Sequence, residues 1–492
     1  MSDDLARFGY PQELRRTLGG FSAFAAGFSF VSILTTVFQL FGFGFSFGGT
    51  LFFWTWPVVI VGQLLVALNF AELAARFPLA GSVYQWAKHL RPGFGGWLAG
   101  WMMLLGCTVA LAAAAIALQI VLPSVWTGFQ LVGGDPSVTS PTGATNAVLL
   151  GVLLIVFTTA VNAAGVRLIA RINDIGVAAE LVGVVVLLGG LAMFAVRGPQ
   201  VVLTNTAADG GGVLFGGLLA SALMAAYVLY GFDTAASVAE ETVNARRTAP
   251  RSVLRALLVS GVGGLALVLF ALMAAPSLTD GALAGQGLPY VITAVFGDVL
   301  GRIFLADVAI AVVVCTLTIQ TGTVRLLFAM ARDGALPFSR KLAAVHPRTG
   351  TPVLAAVVCG AVAIGLLLLN LGNATIFSAI TATSVVVVYL AYLLVTTPLL
   401  AQRLRRGVPT PEPDQFSLGR WGLPINVAAV GYGLLMIVNI AWPRAEIYDL
   451  AGTGSLWALL FPLEFVAVAV AIGWFCWRRT QVTVLELAPV AS

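Results

Sequence analysis

Val177-Ala-Ala-Glu-Leu-Val-Gly-Val-Val-Val-Leu-Leu-Gly-Gly-Leu-Ala-Met-Phe-Ala195 is a run of 19 residues with a single charge, Glu180. A helix needs about 20 apolar residues to cross the hydrocarbon core of a bilayer, so this run reads as a crossing with an acid inside it. Comparable blocks lie at Val58–Phe70, Val148–Ala160 and Val353–Leu369. Of the 492 residues, 59% are hydrophobic and 10% are charged, whereas a soluble domain carries about 25% charged residues. A soluble fold of this length has no surface to present. The chain therefore reads as an all-α polytopic membrane protein, and its length counts helices rather than soluble domains.

Working outward from that run, about twelve spans can be laid down. They are Thr17–Phe41, Gly49–Glu72, Gly95–Leu122, Ala147–Ala163, Ile172–Val196, Gly212–Ala239, Ser252–Ala275, Gly301–Met330, Pro352–Leu369, Ala374–Ala401, Leu423–Ala441 and Gly454–Trp477, numbered here 1 to 12. The basic residues test the count. With the N-terminus placed in the cytoplasm, 23 of the 26 Lys and Arg fall on inside segments, and only Arg197, Arg302 and Arg444 fall outside. Such a bias orients membrane proteins, and a missed span would scramble it. The expectation is a multi-pass protein of the inner (cytoplasmic) membrane with both termini inside. Two outside segments are long, and one of them contains an apolar run, Pro289–Phe296, suited to a helix over an entrance. Trp54, Trp56, Trp97, Trp101, Trp126, Trp442, Trp474 and Trp477 suit interfacial belts.

Several function classes fall away. The basic residues are scattered over short loops and form no nucleic-acid patch. Cys107, Cys315, Cys359 and Cys476 lie singly inside spans, without metal-ligand spacing. The two histidines, His89 and His346, sit in expected loops with no nucleophile nearby, so no enzyme, metal site or cofactor is indicated. Neither a pore loop nor a ring of like charge suggests a channel. The polar first 17 residues do not resemble a signal peptide.

Four stretches are unusual for generic membrane helices. They are Glu72-Leu-Ala-Ala-Arg-Phe-Pro-Leu-Ala-Gly-Ser-Val-Tyr-Gln-Trp86; Tyr227-Val-Leu-Tyr-Gly-Phe-Asp-Thr234 with the following Ala239-Glu-Glu-Thr-Val-Asn-Ala-Arg-Arg-Thr-Ala-Pro250; Arg325-Leu-Leu-Phe-Ala-Met-Ala-Arg-Asp-Gly-Ala-Leu-Pro337 with His346-Pro-Arg-Thr-Gly-Thr-Pro352; and Ser32-Ile-Leu-Thr-Thr-Val-Phe38. In this order they resemble the amino acid–polyamine–organocation permeases, in particular the amino acid/choline transporter branch, over roughly residues 10–410. The resemblance implies a leucine-transporter-like fold: a cytoplasmic tail (1–16), a five-helix repeat (17–196), an inverted five-helix repeat (212–401), helices 11 and 12 (423–477) and a second cytoplasmic tail (478–492). It also implies that spans 1 and 6 are broken at mid-membrane.

The physics of such breaks is general. A helix end leaves unpaired N–H or C=O groups, which lipid tolerates only where they line a cavity or meet a ligand. Half-helix N-termini suit a carboxylate, and free carbonyls suit an ammonium group, so a pair of broken helices suits an amino acid. In span 1 the family's Ile-Gly-Ser-Gly-Ile-Phe is replaced by Ile33, Leu34, Thr35, Thr36, Val37 and Phe38. The resemblance implies a substrate carboxylate near Thr35, Thr36 and Val37, although both glycines are gone. The alternative is that the two threonines bond back to carbonyls one turn earlier. In span 6 the break is expected at Tyr227–Asp233. There carbonyls near Tyr227, Val228 and Tyr230 would face the amine, Gly231 would permit the turn, and Phe232 and Asp233 would gate. Asp233 could instead cap the second half-helix. In span 8, Thr318, Ile319 and Gln320 would border the same cavity, or Gln320 would bond a neighbouring helix.

Glu180 lies about eight residues into span 5, hence about 12 Å deep at 1.5 Å per residue and close to the midplane of a core about 30 Å thick. In some relatives the matching position is a lysine proposed to stand in for a sodium ion. Two readings are open: a site that couples transport to protons, or a structural acid bonded to span 1 or span 8. The function implied is a secondary active transporter of an amino acid or related small amine, working by alternating access with proton symport. A choline-, polyamine- or guanidinium-type cation carrier, or an exchanger without ion coupling, is the alternative.

Overall fold

The computed structural model describes residues 5–14, 16–206, 211–371, 374–407, 415–449, 452 and 454–487. Among them the chain is helical, and its extended pairing is limited to an isolated parallel bridge between Leu18 and Thr242. The helices are α1 (Gly20–Val31), α2 (Ile33–Gly48), α3 (Thr55–Arg76), α4 (Ser82–Leu90), α5 (Phe94–Val125), α6 (Pro141–Ala164), α7 (Val166–Met193), α8 (Gly211–Val228) and α9 (Thr234–Ser237). There follow α10 (Ala245–Ala274), α11 (Gly281–Gln286), α12 (Leu288–Arg332), α13 (Ser339–Leu342), α14 (Val353–Leu368), α15 (Ala374–Arg406), α16 (Gly422–Ala441), α17 (Ala445–Tyr448) and α18 (Leu456–Leu487).

Nine stretches among the described residues are long and apolar enough to cross a membrane. The first, Gly20–Arg76, is 57 residues long and holds both spans 1 and 2. Two shorter apolar helices, Phe215–Val228 and Val353–Leu368, fall on spans 6 and 9. The expected Pro289–Phe296 helix is present as the first part of α12, set off from span 8 by Gly297 at φ 69°.

Packing grades from the centre outward. In the most apolar 18-residue stretch of α5, 83% of the residues are buried, against 17% in that of the last span, Leu456–Thr480. The reason lies in the residues. Along Ala110–Ala117, α5 is almost all alanine, and small side chains let neighbouring backbones approach closely. Accordingly α5 runs along α12 and α15 and also touches α4 and α6. Two tryptophans depart from the expected belts. Trp56 is fully buried against Gly264, and Trp97 is buried with its indole N–H donated to the Ala335 carbonyl at 2.7 Å. Trp54, Trp126, Trp442 and Trp474 are exposed.

Candidate substrate and proton site

Span 1 breaks at Ser32, one residue ahead of the expected Ile33–Val37. Ser32 ends α1 and caps α2 at φ 37° and ψ 94°. A residue other than glycine resists that conformation, and here it is held by its own side chain. Ser32 Oγ donates to Glu180 Oε1 at 3.0 Å, lies 2.7 Å from Thr35 Oγ1, and accepts from the Thr35 N–H at 3.4 Å. The Leu34 N–H donates to the same Glu180 oxygen at 3.1 Å. The start of α2, positive by its dipole and its unpaired amides, is thus occupied by a carboxylate from α7. Thr36 Oγ1 donates back to the Val31 and Ser32 carbonyls, both at 2.9 Å. Val37 is buried in the apolar core. Glu180 is itself 1% exposed, and its second oxygen, Oε2, has no hydrogen-bond partner.

Span 6 unwinds between Val228 and Thr234. Gly231, at φ 86°, makes the turn. In a continuous helix its N–H would close onto the Tyr227 carbonyl; instead it donates to the Tyr392 hydroxyl at 2.9 Å. The ladder resumes at Thr234, whose N–H bonds the Gly231 carbonyl at 3.0 Å. Tyr392 in turn donates to Asp233 Oδ1 at 2.6 Å, and Ser82 donates to Asp233 Oδ2 at 2.9 Å. Asp233 makes no side-chain cap bond to α9. Its carboxylate ties the break to α15 and to α4. Phe232 is fully buried between Phe70 and Tyr392. Tyr230 stands edge-on to Phe30 and Tyr227, with centroids 6.0 and 5.5 Å apart. Tyr230 at the second break therefore packs on Phe30, two residues before the first.

The third wall is α12. Cys315 points at the Phe30 carbonyl, Ile319 is buried, and Thr318 donates to Asn173 Oδ1 at 2.8 Å. Ser29 donates to the same Asn173 oxygen at 2.8 Å. Gln320 bonds Thr159 and the Ala356 carbonyl, which is the interhelical alternative. Asn173 and Thr318 open onto a recess of about 30 Å³ that also takes in Ser22 and Thr321, with Glu241 and Arg325 at its edge. That is room for a water or two.

The motif charges close one end of the bundle. Arg325 pairs with Glu241 at 2.9 Å, both fully buried. Arg332 grips both oxygens of Glu240 at 2.8 and 2.9 Å. Glu240 also accepts the Ala80 N–H at 2.9 Å. Glu72 binds Arg76, Arg403 and the Leu418 N–H. Residues ahead of α1 lie across this surface: Thr17 and Leu18 donate backbone N–H groups to the Glu241 carbonyl, and the Tyr10 hydroxyl donates to Asp333 at 2.8 Å. Lys88 bonds Asp333 and Tyr10 at 2.7 and 2.9 Å. Burial raises the Tyr10 pKa above 10.0, with the Asp333 charge adding to it. For Lys88 burial works downward, but the bonds to Asp333 and Tyr10 outweigh it and the net shift from 10.5 is upward. Both contributions are present below those ordinary values and are lost as pH rises through the shifted ones.

Two residues that organise the breaks had no role assigned from sequence. Ser32 carries a local signal, a serine three residues ahead of Thr35 at a helix start. Tyr392 carries none, because its partners are 159 and 161 residues away.

The chain matches the amino acid permease family over residues 18–470. It is 27% identical to the amino-acid permease BAT1 of Arabidopsis thaliana over 470 residues, covering 90% of this chain and 88% of that one. It is 28% identical to the BAT1 homolog of Oryza sativa over 462 residues, covering 89% and 87%. Against the GABA-specific permease of Saccharomyces cerevisiae it is 25% identical over 465 residues, covering 90% and 78%. With its apolar helices and a match over nearly its whole length, the chain belongs to the amino acid permease family of the amino acid–polyamine–organocation superfamily and is a multi-pass membrane protein.

Proposed function

We propose that this protein is a proton-coupled permease for an amino acid or related small amine, working by alternating access in the cytoplasmic membrane with both termini inside. In this reading residues 17–196 and 212–401 are the two inverted repeats, and residues 423–477 add helices 11 and 12. The observation that carries it is the Glu180 carboxylate on the Leu34 N–H and the Ser32 hydroxyl. The start of α2 can hold one carboxylate at a time. A substrate carboxylate directed to the amides near Thr35, Thr36 and Val37 contends with Glu180 for that place. Protonation of Glu180 weakens its hold and yields the amides, so loading a proton and loading substrate become one event. The substrate amine would meet the carbonyls freed at Tyr227, Val228 and Tyr230, with Gly231 making the turn, Ile319 lining the third wall, and Phe232 and Asp233 holding the gate through Tyr392. The recess at Asn173 and Thr318, with room for a water or two, lies toward the other end of α7.

The test is Glu180→Gln in liposomes containing the purified protein. The expected result is uptake that no longer responds to an imposed pH gradient, with binding of amino acids retained or tightened in a thermal-shift screen. Full concentrative, pH-dependent uptake by the variant would end the coupling reading. The same screen separates substrate classes. Shifts by amino acids, 4-aminobutyrate included, support the carboxylate reading; shifts confined to amines without a carboxylate favour a cation carrier in which Glu180 keeps its seat.

A further inference from the structure

We propose that Asp307 is the carboxylate through which a proton reaches Glu180 from the Arg302 end of the bundle; this rests on the reading of Glu180 given above. Asp307 stands on α12, ten residues past the Gly297 break and six residues into span 8, hence about 9 Å into that span. An ionisable residue there marks a partner or a pathway. Asp307 has no hydrogen bond or ion pair among the described residues. It is half-buried, beside the lipid-facing Ile303 and Ile310.

Its carboxylate lies against α7 at Gly183, where a Cβ would overlap Asp307 Oδ2. Gly183 is three residues past Glu180, and residues three apart share a helix face with Cβ positions about 5–6 Å apart. The Asp307 carboxylate therefore faces α7 one helix turn from Glu180. Glu180 is asymmetric. Oε1 is held by Ser32 and Leu34, while Oε2 is buried and uncommitted. The proton passes from the Asp307 carboxyl to Glu180 Oε2, and Asp307 then reloads from water at the Arg302 end. One face of α7 carries the whole path, with Gly183 opposite Asp307, then Glu180, then Asn173 at the recess.

Among the described residues the other charges lie elsewhere: Arg167 and Arg171 stand in the first two turns of α7, twelve or more residues before Gly183. Asp298 and Arg302 lie nearer the start of α12 and are exposed. Arg197, beyond α7, binds the Ala275 and Pro276 carbonyls. Asp174 accepts from Ser22, and Cys315 beside Glu180 points at Phe30. Of the helices packed on α12, α1, α2, α5, α6, α9, α11 and α14 carry no charged residue, while α4, α10 and α13 carry theirs toward the Arg332 end.

The experiment uses the full chain in liposomes loaded with a pH-sensitive dye. The probe is an equimolar mixture of the twenty amino acids and 4-aminobutyrate, added outside. Two readouts are taken: proton influx on addition, and counterflow of the radiolabelled mixture without a pH gradient. For Asp307→Asn the expected result is proton influx slowed at least about tenfold, in line with the loss of a positioned proton-transfer group, with counterflow at the wild-type rate. Gly183→Ala, which pushes the carboxylate off α7, should slow influx in the same sense by less. Wild-type influx in Asp307→Asn overturns the proposal. So does an equal loss of influx and counterflow, which marks a structural role. Glu180→Gln separates the two readings: if it retains substrate-driven influx, the Glu180 reading fails whatever Asp307 does. A wild-type protein that counterflows without proton influx overturns both.

Discussion

At Ser32 the chain turns without glycine, and the amide it frees at Leu34 is taken by a carboxylate on another helix, Glu180, 146 residues away. At Gly231 it turns on glycine, and its free N–H is taken by a hydroxyl 161 residues away. The first break is closed by a group that can change its charge. The second is closed by groups already satisfied within a network: Tyr392 holds Gly231 and Asp233 together, and Ser82 completes Asp233. In the proposed mechanism switching belongs to the first break and rigidity to the second. A carrier that moves one broken helix against the other needs that division, because two labile breaks would leave unpaired backbone groups in a dry interior.

The comparison breaks most sharply at Gly231. Gly231→Ala places a Cβ inside the Phe30 ring and forces a side chain onto φ 86°. Strain and overpacking together should cost about 2–5 kcal/mol, read as a large fall in melting temperature and loss of transport. Next is Tyr392→Phe, which strips the Gly231 N–H of its acceptor and Asp233 of a donor. Each orphaned buried group costs about 1–3 kcal/mol, so thermal stability should fall while the pH response of residual uptake stays that of the wild type. An altered pH response would show that the second break also switches. Smallest is Ser32. Ser32→Ala should cost about 1 kcal/mol and Ser32→Gly only a few tenths, as at other helix caps. Both should shift the pH response of uptake, because each removes a bond that holds Glu180 Oε1. A stability loss at Ser32 as large as that at Gly231 would erase the distinction.

How much of this was legible in the chain depends on range. The spans were legible because bilayer crossing is a local property, and the helices appear where the apolar runs stand. The break in span 6 was legible through Gly231, whose backbone freedom needs no partner. The break in span 1 was read one residue late, since Ser32 holds its turn through side-chain bonds rather than by lacking a side chain. Asp233 was open between capping and gating, and its bonds go to neither the α9 cap nor solvent but to Tyr392 and Ser82. Thr36 and Gln320 each make the bond that the plainer of their two readings describes. Asp307 stands inside span 8 in the sequence, but its place against Gly183 shows only in the packed helices.

By itself the sequence determined a membrane chain of helices, the acid inside Val177–Ala195, and the motifs that mark the amino acid permease family. These are properties of composition, periodicity and short spacing, which a bilayer reads locally. Tertiary structure alone decided what the acid does with its two oxygens. Only folding carries Glu180 from α7 to the start of α2, where unpaired amides and a serine hydroxyl await an anion, and only folding leaves Oε2 uncommitted and sets Asp307 against Gly183, one helix turn from Glu180. The reason is that a helix end has no chemical identity until something occupies it, and its occupant here comes from nearly 150 residues away.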